Sequence, residues 1–389
     1  MAILVKKFGG SSVATPEKMH GIVDRVLREK KPDDRIVIVV SAMGDSTDDL
    51  LDLAAKVTDS MPKRELDMLL STGEQVSIAL LAAAFCSKGQ PAVSFTGGQA
   101  GIHTSDIHSK ATISDVDAKR VIMALDEGKI AIVAGFQGIT DEGDITTLGR
   151  GGSDTTAVAV AAGIKADFCE IYTDVDGVYT SDPRIVPNAQ KMNEITFAEM
   201  LELARLGAGV MQPRAVEYGE HNSVAIHVRS TFKDDPGTII REEYTVQEKN
   251  FVIRGVAHDT NVAKIAVKGV PDQPGVAYKI FSALANANVD VDMIIQSVRD
   301  IDGSNDILFT VAKTDLVEAT SVVESLKDEM GGFNYDVEIN VAKVSIVGAG
   351  MLGSPGIAAG MFGALAKAGI NIAAISTSEI SVSCLIKES

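Results

Sequence analysis

At 389 residues the chain is too long for one ordinary core, and two or three domains are expected. Hydrophobic residues make up 46% and charged residues 23%, the balance of a globular chain that folds throughout. A formal net charge of -17 excludes nucleic acid and anionic membrane as partners, since both demand a cationic surface; small anionic substrates stay open where Lys and Arg offset the field.

Residues 3–8 are a short apolar strand with no charged leader or cleavage site before it, so no export signal is expected. No run of about 18 apolar residues suggests a membrane span. Thr15-Pro16 supplies an N-cap and a first-turn proline, and Met19, Ile22, Val23, Val26 and Leu27 follow at helical spacing. Residues 36–40 are a β-branched run of the kind buried in a parallel sheet, followed by the turn Ser41-Ala42-Met43-Gly44 and a helix from near Thr47. The same grammar recurs at 92–95, 130–134 and 168–173. It predicts an α/β domain with a mostly parallel sheet, helices on both faces, and ligands beyond the carboxyl ends of the strands.

Composition shifts across residues 234–250, where a domain boundary is expected. Beyond it the chain repeats itself. Ala263-Lys-Ile-Ala-Val-Lys-Gly realigns with Ala342-Lys-Val-Ser-Ile-Val-Gly, and Pro274-Gly-Val-Ala with Pro355-Gly-Ile-Ala, at a spacing of about 80 residues. The predicted division is 1–245, 251–332 and 333–389, the last two being copies of one small α+β module. Copy one continues into a helix over about 316–330, whereas copy two ends after a strand at 380–386, about one helix early. Either a partner supplies that cover or the sequence is shortened.

Two glycine-rich stretches carry the chemistry. In Lys7-Phe8-Gly9-Gly10-Ser-Ser the lysine sits where the first strand meets the glycines, placed to reach a transferring phosphoryl group while backbone N–H groups hold phosphate oxygens. The bland alternative is an exposed lysine before a structural turn. Arg150-Gly151-Gly152-Ser153-Asp154 offers a guanidinium for carboxylate recognition, a hydroxyl, and a carboxylate that can orient Lys7, ahead of a helix whose N-terminal dipole faces the site; the alternative is a plain turn. Neither stretch is the usual nucleotide P-loop or a protein-kinase glycine loop. Thr173, Asp174 and Tyr179 could contact a nucleotide and Arg184 a phosphate. Glu74 opens a helix, where it either binds an ammonium group or compensates the dipole.

Other motifs are set aside. Gly348-Ala-Gly350-Met-Leu-Gly353 satisfies the dinucleotide glycine pattern, but Pro355 interrupts it and Ala373-Ala374 stand where an acid is required. The Asp-rich turn 174–176 lacks the ligand spacing of a calcium loop. The six histidines form no metalloprotease pair, and no protein-held metal is expected. Cys86, Cys169 and Cys384 are scattered in apolar contexts without C-x-x-C spacing and are expected to be buried in a reducing cytoplasm.

Taken together, the 7–12, 41–44, 147–154 and 173–179 motifs resemble those of the aspartate kinase family, single-function type, and the repeat resembles its paired ACT domains. The resemblance implies ATP-dependent phosphorylation of the L-aspartate β-carboxylate at the head of lysine, threonine and methionine synthesis. It implies ATP with Mg²⁺ on Lys7, Phe8, Gly9, Gly10, Ser41, Thr173, Asp174 and the segment from Tyr179 to Arg184. It implies L-aspartate among Asp45 to Asp49 with Thr47, Glu74, Leu125, Asp126, Arg150, Gly151, Gly152 and Ser153. Glu74 would meet the α-ammonium and Arg150 the α-carboxylate, with Lys7, Arg150 and Asp154 as the catalytic set.

Lysine, threonine or both would bind between the ACT modules, near Asp272, Gly275, Ala277, Asp290, Asp292 and Gln296 of one copy and Asn371, Ile372, Ser378 and Glu379 of the other. Assembly into a homo-oligomer through those modules is expected. One departure stands out: many family members carry a lysine near the ATP phosphates where this chain has Gly209, which would either shift that role to Mg²⁺, Arg184 or Arg214 or weaken nucleotide affinity.

Overall fold

The computed structural model describes residues 2–244, 252–297, 304–330, 332–351 and 353–388. The expected boundary segment runs past residue 244 and so lies partly outside them. The chain divides into two compact units, Met1–Ala204 with Gly209–Glu248, and Arg205–Ala208 with Lys249–Ser389.

The first unit runs β1 (Ile3–Phe8), α1 (Pro16–Glu29), β2 (Arg35–Val40), α2 (Ser46–Val57), α3 (Lys63–Leu70), α4 (Thr72–Ser87), β3 (Ala92–Phe95), β4 (Ile102–Thr104), β5 (Ile113–Val116), α5 (Lys119–Asp126), β6 (Ile130–Ala134), β7 (Gln137–Ile139), β8 (Ile145–Thr147), α6 (Gly152–Gly163), β9 (Phe168–Thr173), β10 (Glu194–Thr196), α7 (Phe197–Arg205), α8 (Pro213–His221), β11 (Ile226–Ser230) and β12 (Thr238–Arg241). Its main sheet has the order β10-β12-β11-β9-β1-β2-β6-β3, parallel except where β11 meets β12. The mostly parallel sheet read from the sequence is present, and β3, β6 and β9 keep the predicted bounds. Strands β2 and β6 are almost wholly apolar because both faces are covered. One face packs Phe8, Ile36, Ile38, Val40, Ile130 and Ile132 against Met19, Ile22 and Val23 of α1 and Ile78, Leu81 and Phe85 of α4.

The sequence showed no sign of the second, four-stranded sheet β5-β4-β7-β8. The stretch Lys63–Ser87 is long and apolar enough by composition to cross a membrane, yet half of its most apolar window is buried in the protein interior. It is two core helices, α3 and α4, that carry buried Asp67 and Glu74. Cys169 and Cys384 are buried as expected, but Cys86 is exposed: it lies in the last turn of α4, with its thiol 3.8 Å from the Ala92 carbonyl oxygen at the start of β3.

The second unit holds β13 (Gly255–Pro271), α9 (Val276–Asn286), β14 (Ile294–Ser297), β15 (Ser304–Ala312), α10 (Leu316–Leu326), β16 (Asn334–Val347), α11 (Ile357–Lys367), β17 (Ile372–Thr377) and β18 (Ser381–Lys387). The two repeats share one six-stranded sheet, β14-β15-β13-β16-β18-β17. The first half of β16 closes copy one by pairing with the second half of β13, Lys268 opposite Asn334. The first half of β13 returns the service: Gly255 pairs with Val347 and Val256 with Ile346. The strand that copy two lacks at its end is therefore supplied from the start of copy one. Its second helix has no counterpart among the described residues, and α11 contains no fully buried residue. The glycines at 348–353 follow a strand of this antiparallel sheet, outside any βαβ unit.

Candidate active site

Strand β1 lies between β2 and β9, and side chains alternate faces along it. Lys6 and Lys7 therefore part company. Lys6 Nζ turns toward α1 and lies 2.6 Å from Glu170 and 3.1 Å from Glu29, in a cluster with Tyr172 and Arg229. Burial would push the Glu29 carboxyl up, but Lys6, Arg25 and Arg229 overcome that and hold it at about 2. Lys7 turns the other way, to α6, where its Nζ lies 2.6 Å from Asp154 Oδ1. The pair expected between the two glycine stretches is thus formed.

After Phe8 the chain makes one 3-10 turn, Gly10–Ser12, and nests on the end of β2. The Ser41 amide donates to the Phe8 carbonyl at 3.2 Å and the Gly44 amide to that of Gly10 at 3.1 Å. A Cβ on Gly10 would stand 3.0 Å from the Ala42 carbonyl oxygen and 3.1 Å from that of Gly44, so a side chain there would pry the loops apart.

Glu74, in the first turn of α4, reaches the same place. Its Oε1 accepts the Ala42 amide at 3.0 Å, its Oε2 is buried with no partner, and the residue is 2% exposed. Burial raises its carboxyl to about 7 against the pull of its own and the Ala42 amide. A buried carboxylate oxygen without a donor calls for one, and an ammonium group supplies it. Thr47 and Ser41 stand half-buried nearby in sequence, at the start of α2 and the end of β2.

The second glycine-rich stretch turns sharply at Gly149 and Gly151, both with positive φ (76° and 69°), and then enters α6. That helix is buried almost throughout, which fixes Ser153 and Asp154 in its first turn and leaves Arg150 exposed beside it. Thr173 ends β9 next to β1, and its hydroxyl donates to Asp174 at 3.0 Å. Tyr179 donates to Asp176, which Lys233 grips at 2.9 Å.

Three expectations need correction. Leu125 and Asp126 lie at the opposite end of the sheet: Asp126 pairs with Arg35, which opens β2, whereas Ser41 follows its far end. Six strand residues span about 20 Å, too far for one small amino acid. Arg184 is 87% exposed at its side chain and forks onto Asp182 at 2.8 Å, so its charge is already answered. Arg214 donates to the carbonyls of Leu148 and Ala111, at 2.7 and 2.8 Å, which makes it a brace of the second glycine-rich loop. The space around Gly209 is open, with nothing within 4 Å of an added Cβ.

Sequence reading missed Asp67, which is fully buried on α3 and holds the end of β8 and the loop at 108–109. Its only signal is an acid inside the apolar run Leu66-Asp67-Met68-Leu69-Leu70.

In the second unit, α9 and α11 both start after a left-handed glycine, Gly275 and Gly356, as the repeated Pro-Gly predicts. Asp272 accepts from Asn305 at 2.9 Å, and Asp292 pairs with Lys343. Ala277 lies in the first turn of α9, and Asp290 and Gln296 are exposed beside and on β14. Asn371, Ile372, Ser378 and Glu379 flank β17 at the other edge of the sheet. The two expected sets of effector contacts are not brought together within one chain.

The fold and site define an amino-acid kinase with an ACT sensor. The family model described as the amino acid kinase family matches residues 2–230, and that of an ACT domain matches 265–326 and 344–389. An aspartokinase of Mycolicibacterium smegmatis is 51% identical over all of this chain and 93% of its own length. An aspartokinase of Corynebacterium glutamicum is 50% identical with the same coverage. The solved structure of aspartokinase III from E. coli in complex with aspartate and ADP, an R-state, is 25% identical with a TM-score of 0.83, over 99% of this chain and 96% of that one. The same enzyme with lysine and aspartate, a T-state, gives a TM-score of 0.78 over the same shares. The chain belongs to the aspartokinase family.

Proposed function

We propose that this chain transfers the γ-phosphoryl group of ATP to the β-carboxylate of L-aspartate, giving 4-phospho-L-aspartate for the lysine, threonine and methionine pathway. The observation that carries this reading is the Lys7–Asp154 ion pair at 2.6 Å, which joins a phosphate cradle to an acceptor loop. A carboxylate is already ionised at neutral pH and needs no base, so the work lies in bringing two anions together in line. Lys7 and the Gly9–Gly10 amides spread the charge of the transferring group, and Asp154, 2.6 Å from the ammonium, keeps the lysine aimed. Glu74 Oε2 takes the α-ammonium, and Arg150 swings onto the α-carboxylate. The β-carboxylate is then left to face the cradle.

Thr173, Asp174 and Tyr179 frame the nucleoside. Mg²⁺ bound with the nucleotide would neutralise part of the phosphate charge. Free thiols at all three cysteines suit a cytoplasmic enzyme.

Lysine or threonine inhibits through the ACT unit. β14 and β17 are the two edges of its sheet, five strand spacings or about 24 Å apart. One effector that touches both sets of residues therefore needs two chains, edge to edge, which favours a homo-oligomer. ATP-dependent formation of aspartyl hydroxamate, run against glutamate and N-acetylglutamate as rival acceptors, tests the activity. Selective turnover of either rival would overturn the assignment.

A further inference from the structure

The side chain of Asp67 sits on α3, outside the glycine cradles, and is fully buried. Its carboxylate is saturated with donors from two other segments. Oδ1 accepts the Thr147 hydroxyl at 2.7 Å and the Ser109 hydroxyl at 3.2 Å; Oδ2 accepts the Thr147 amide at 3.1 Å and the Ser109 amide at 2.9 Å, with His108 Nδ1 also 2.9 Å away. Thr147 is the last residue of β8, three positions before Arg150.

The same short stretch is held from its other side. Arg214 donates to Leu148 and Ala111, and the Ala111 amide donates to the Thr147 carbonyl at 3.0 Å. Ser109 has a φ of 69°, costly for a residue with a side chain, and its carbonyl oxygen would lie 3.2 Å from a Cβ on Gly149. That conformation persists because Asp67 collects both the amide and the hydroxyl of Ser109. Through Thr147 and Ser109, Asp67 fixes the point from which the loop bearing Arg150 departs. The chain that leaves α3 passes Ser71, whose carbonyl accepts Gln137 Nε2 at 2.9 Å, and delivers Glu74.

We propose that Asp67 is a positioning residue for the acceptor: it sets the distance between Arg150 and Glu74, the groups assigned above to the two ends of aspartate. The proposal rests on that reading of the substrate. Arg150 is exposed and makes no ion pair among the described residues, so its aim depends on the backbone behind it. A shift of that backbone by about 1 Å spoils the fit to both ends of a short ligand at once. The nucleotide side, built on β1 and β9, stands apart from these bonds.

The test is Asp67→Asn, which keeps the shape, leaves one acceptor oxygen and turns the other into an NH2 donor that faces donors. Expected are a rise of about tenfold or more in the KM for aspartate, a KM for ATP within about twofold of the parent, and faster amide exchange across 147–154. An unchanged aspartate KM, equal losses for both substrates, or unchanged exchange in the folded variant overturns the proposal. If Asp67→Asn does not fold, Thr147→Val decides: it removes one 2.7 Å bond and leaves the carboxylate its other donors. A rise of about threefold in the aspartate KM is then expected, and no rise overturns the role. If the parent enzyme forms no aspartyl hydroxamate, the substrate reading falls, while exchange at 147–154 still judges whether Asp67 anchors the loop.

Discussion

Ala42 and Glu74 are joined by a 3.0 Å hydrogen bond from the amide to Oε1, and this leaves Glu74 Oε2 buried and unanswered. The carboxyl is raised to about 7 because burial penalises its charged form. An ammonium ligand binds the carboxylate and not the acid. The aspartate KM is therefore expected to fall as pH rises from about 6 to about 8 and to level off above that. Initial rates at saturating ATP check this, and Glu74→Gln should raise the KM and flatten its pH dependence. A parent KM that ignores pH in that window would remove Glu74 from ammonium recognition.

The same shift acts on stability. The folded carboxyl titrates near 7 and the unfolded one at 4.5, so the folded state holds the extra proton between them. Stability without ligand is lost as pH rises through that window, by about 3 kcal/mol once both states are ionised. Denaturant unfolding of the free enzyme at pH 5 and pH 8 should show the loss, and Glu74→Gln should abolish it.

Lys7→Ala is expected to lower kcat by about 10² to 10³, the cost of about 3 to 4 kcal/mol for one well-placed electrostatic donor. It also strands Asp154 without its cation, so Tm falls as well. The double variant Lys7→Met with Asp154→Asn removes both charges and should recover Tm without recovering turnover. Near-normal turnover in either variant would take Lys7 out of the transfer step.

The strands that could be read in advance are those whose physics is local. Residues 36–40 and 130–134 are continuous apolar runs that only a sheet covered on both faces accommodates, and β2 and β6 contain them. β4 and β5, with His103 and Asp115 among three or four residues, carry no such pattern and depend on their neighbours. The pairing of Lys7 with Asp154 was legible because two motifs of complementary charge each ended a strand. Asp126 was misplaced because a motif does not reveal which end of a sheet it occupies. Asp67 escaped because its meaning lies in donors 41 and 80 residues away. The exchange of strand halves between β13 and β16 is a property of register, which repeat spacing does not encode.

Gly209 stands where the family resemblance leads one to expect a lysine, and the structure leaves that position free of neighbours within 4 Å of a Cβ. Its φ lies outside the left-handed range, so a side chain adds no backbone strain. Gly209→Lys should then fold normally, with Tm within about 3 °C of the parent. If the segment borders the nucleotide phosphates, the new ammonium lowers the KM for ATP by about tenfold. An unchanged KM for ATP would show that Gly209 does not face the phosphates.

Asp292 presents the last test, because its carboxylate is shared between two possible cations. Lys343, with its side chain 2% exposed, already pairs with it, while the Asp292 side chain is 49% exposed and open to a ligand. An effector ammonium that takes Asp292 must displace Lys343 and pay for leaving a buried charge poorly paired. The two single variants then act in opposite directions. Asp292→Asn removes the ligand's partner and should raise the half-inhibitory lysine concentration by about tenfold, within the range of a coupling of about 1 to 3 kcal/mol. Lys343→Met removes the internal competitor and should lower it. Asp292→Asn should also cost about 1 to 3 kcal/mol of stability, less than a fully buried pair because half of the carboxylate is in water. A rise in the half-inhibitory concentration for both variants would make the pair a structural fastener, with the effector held elsewhere.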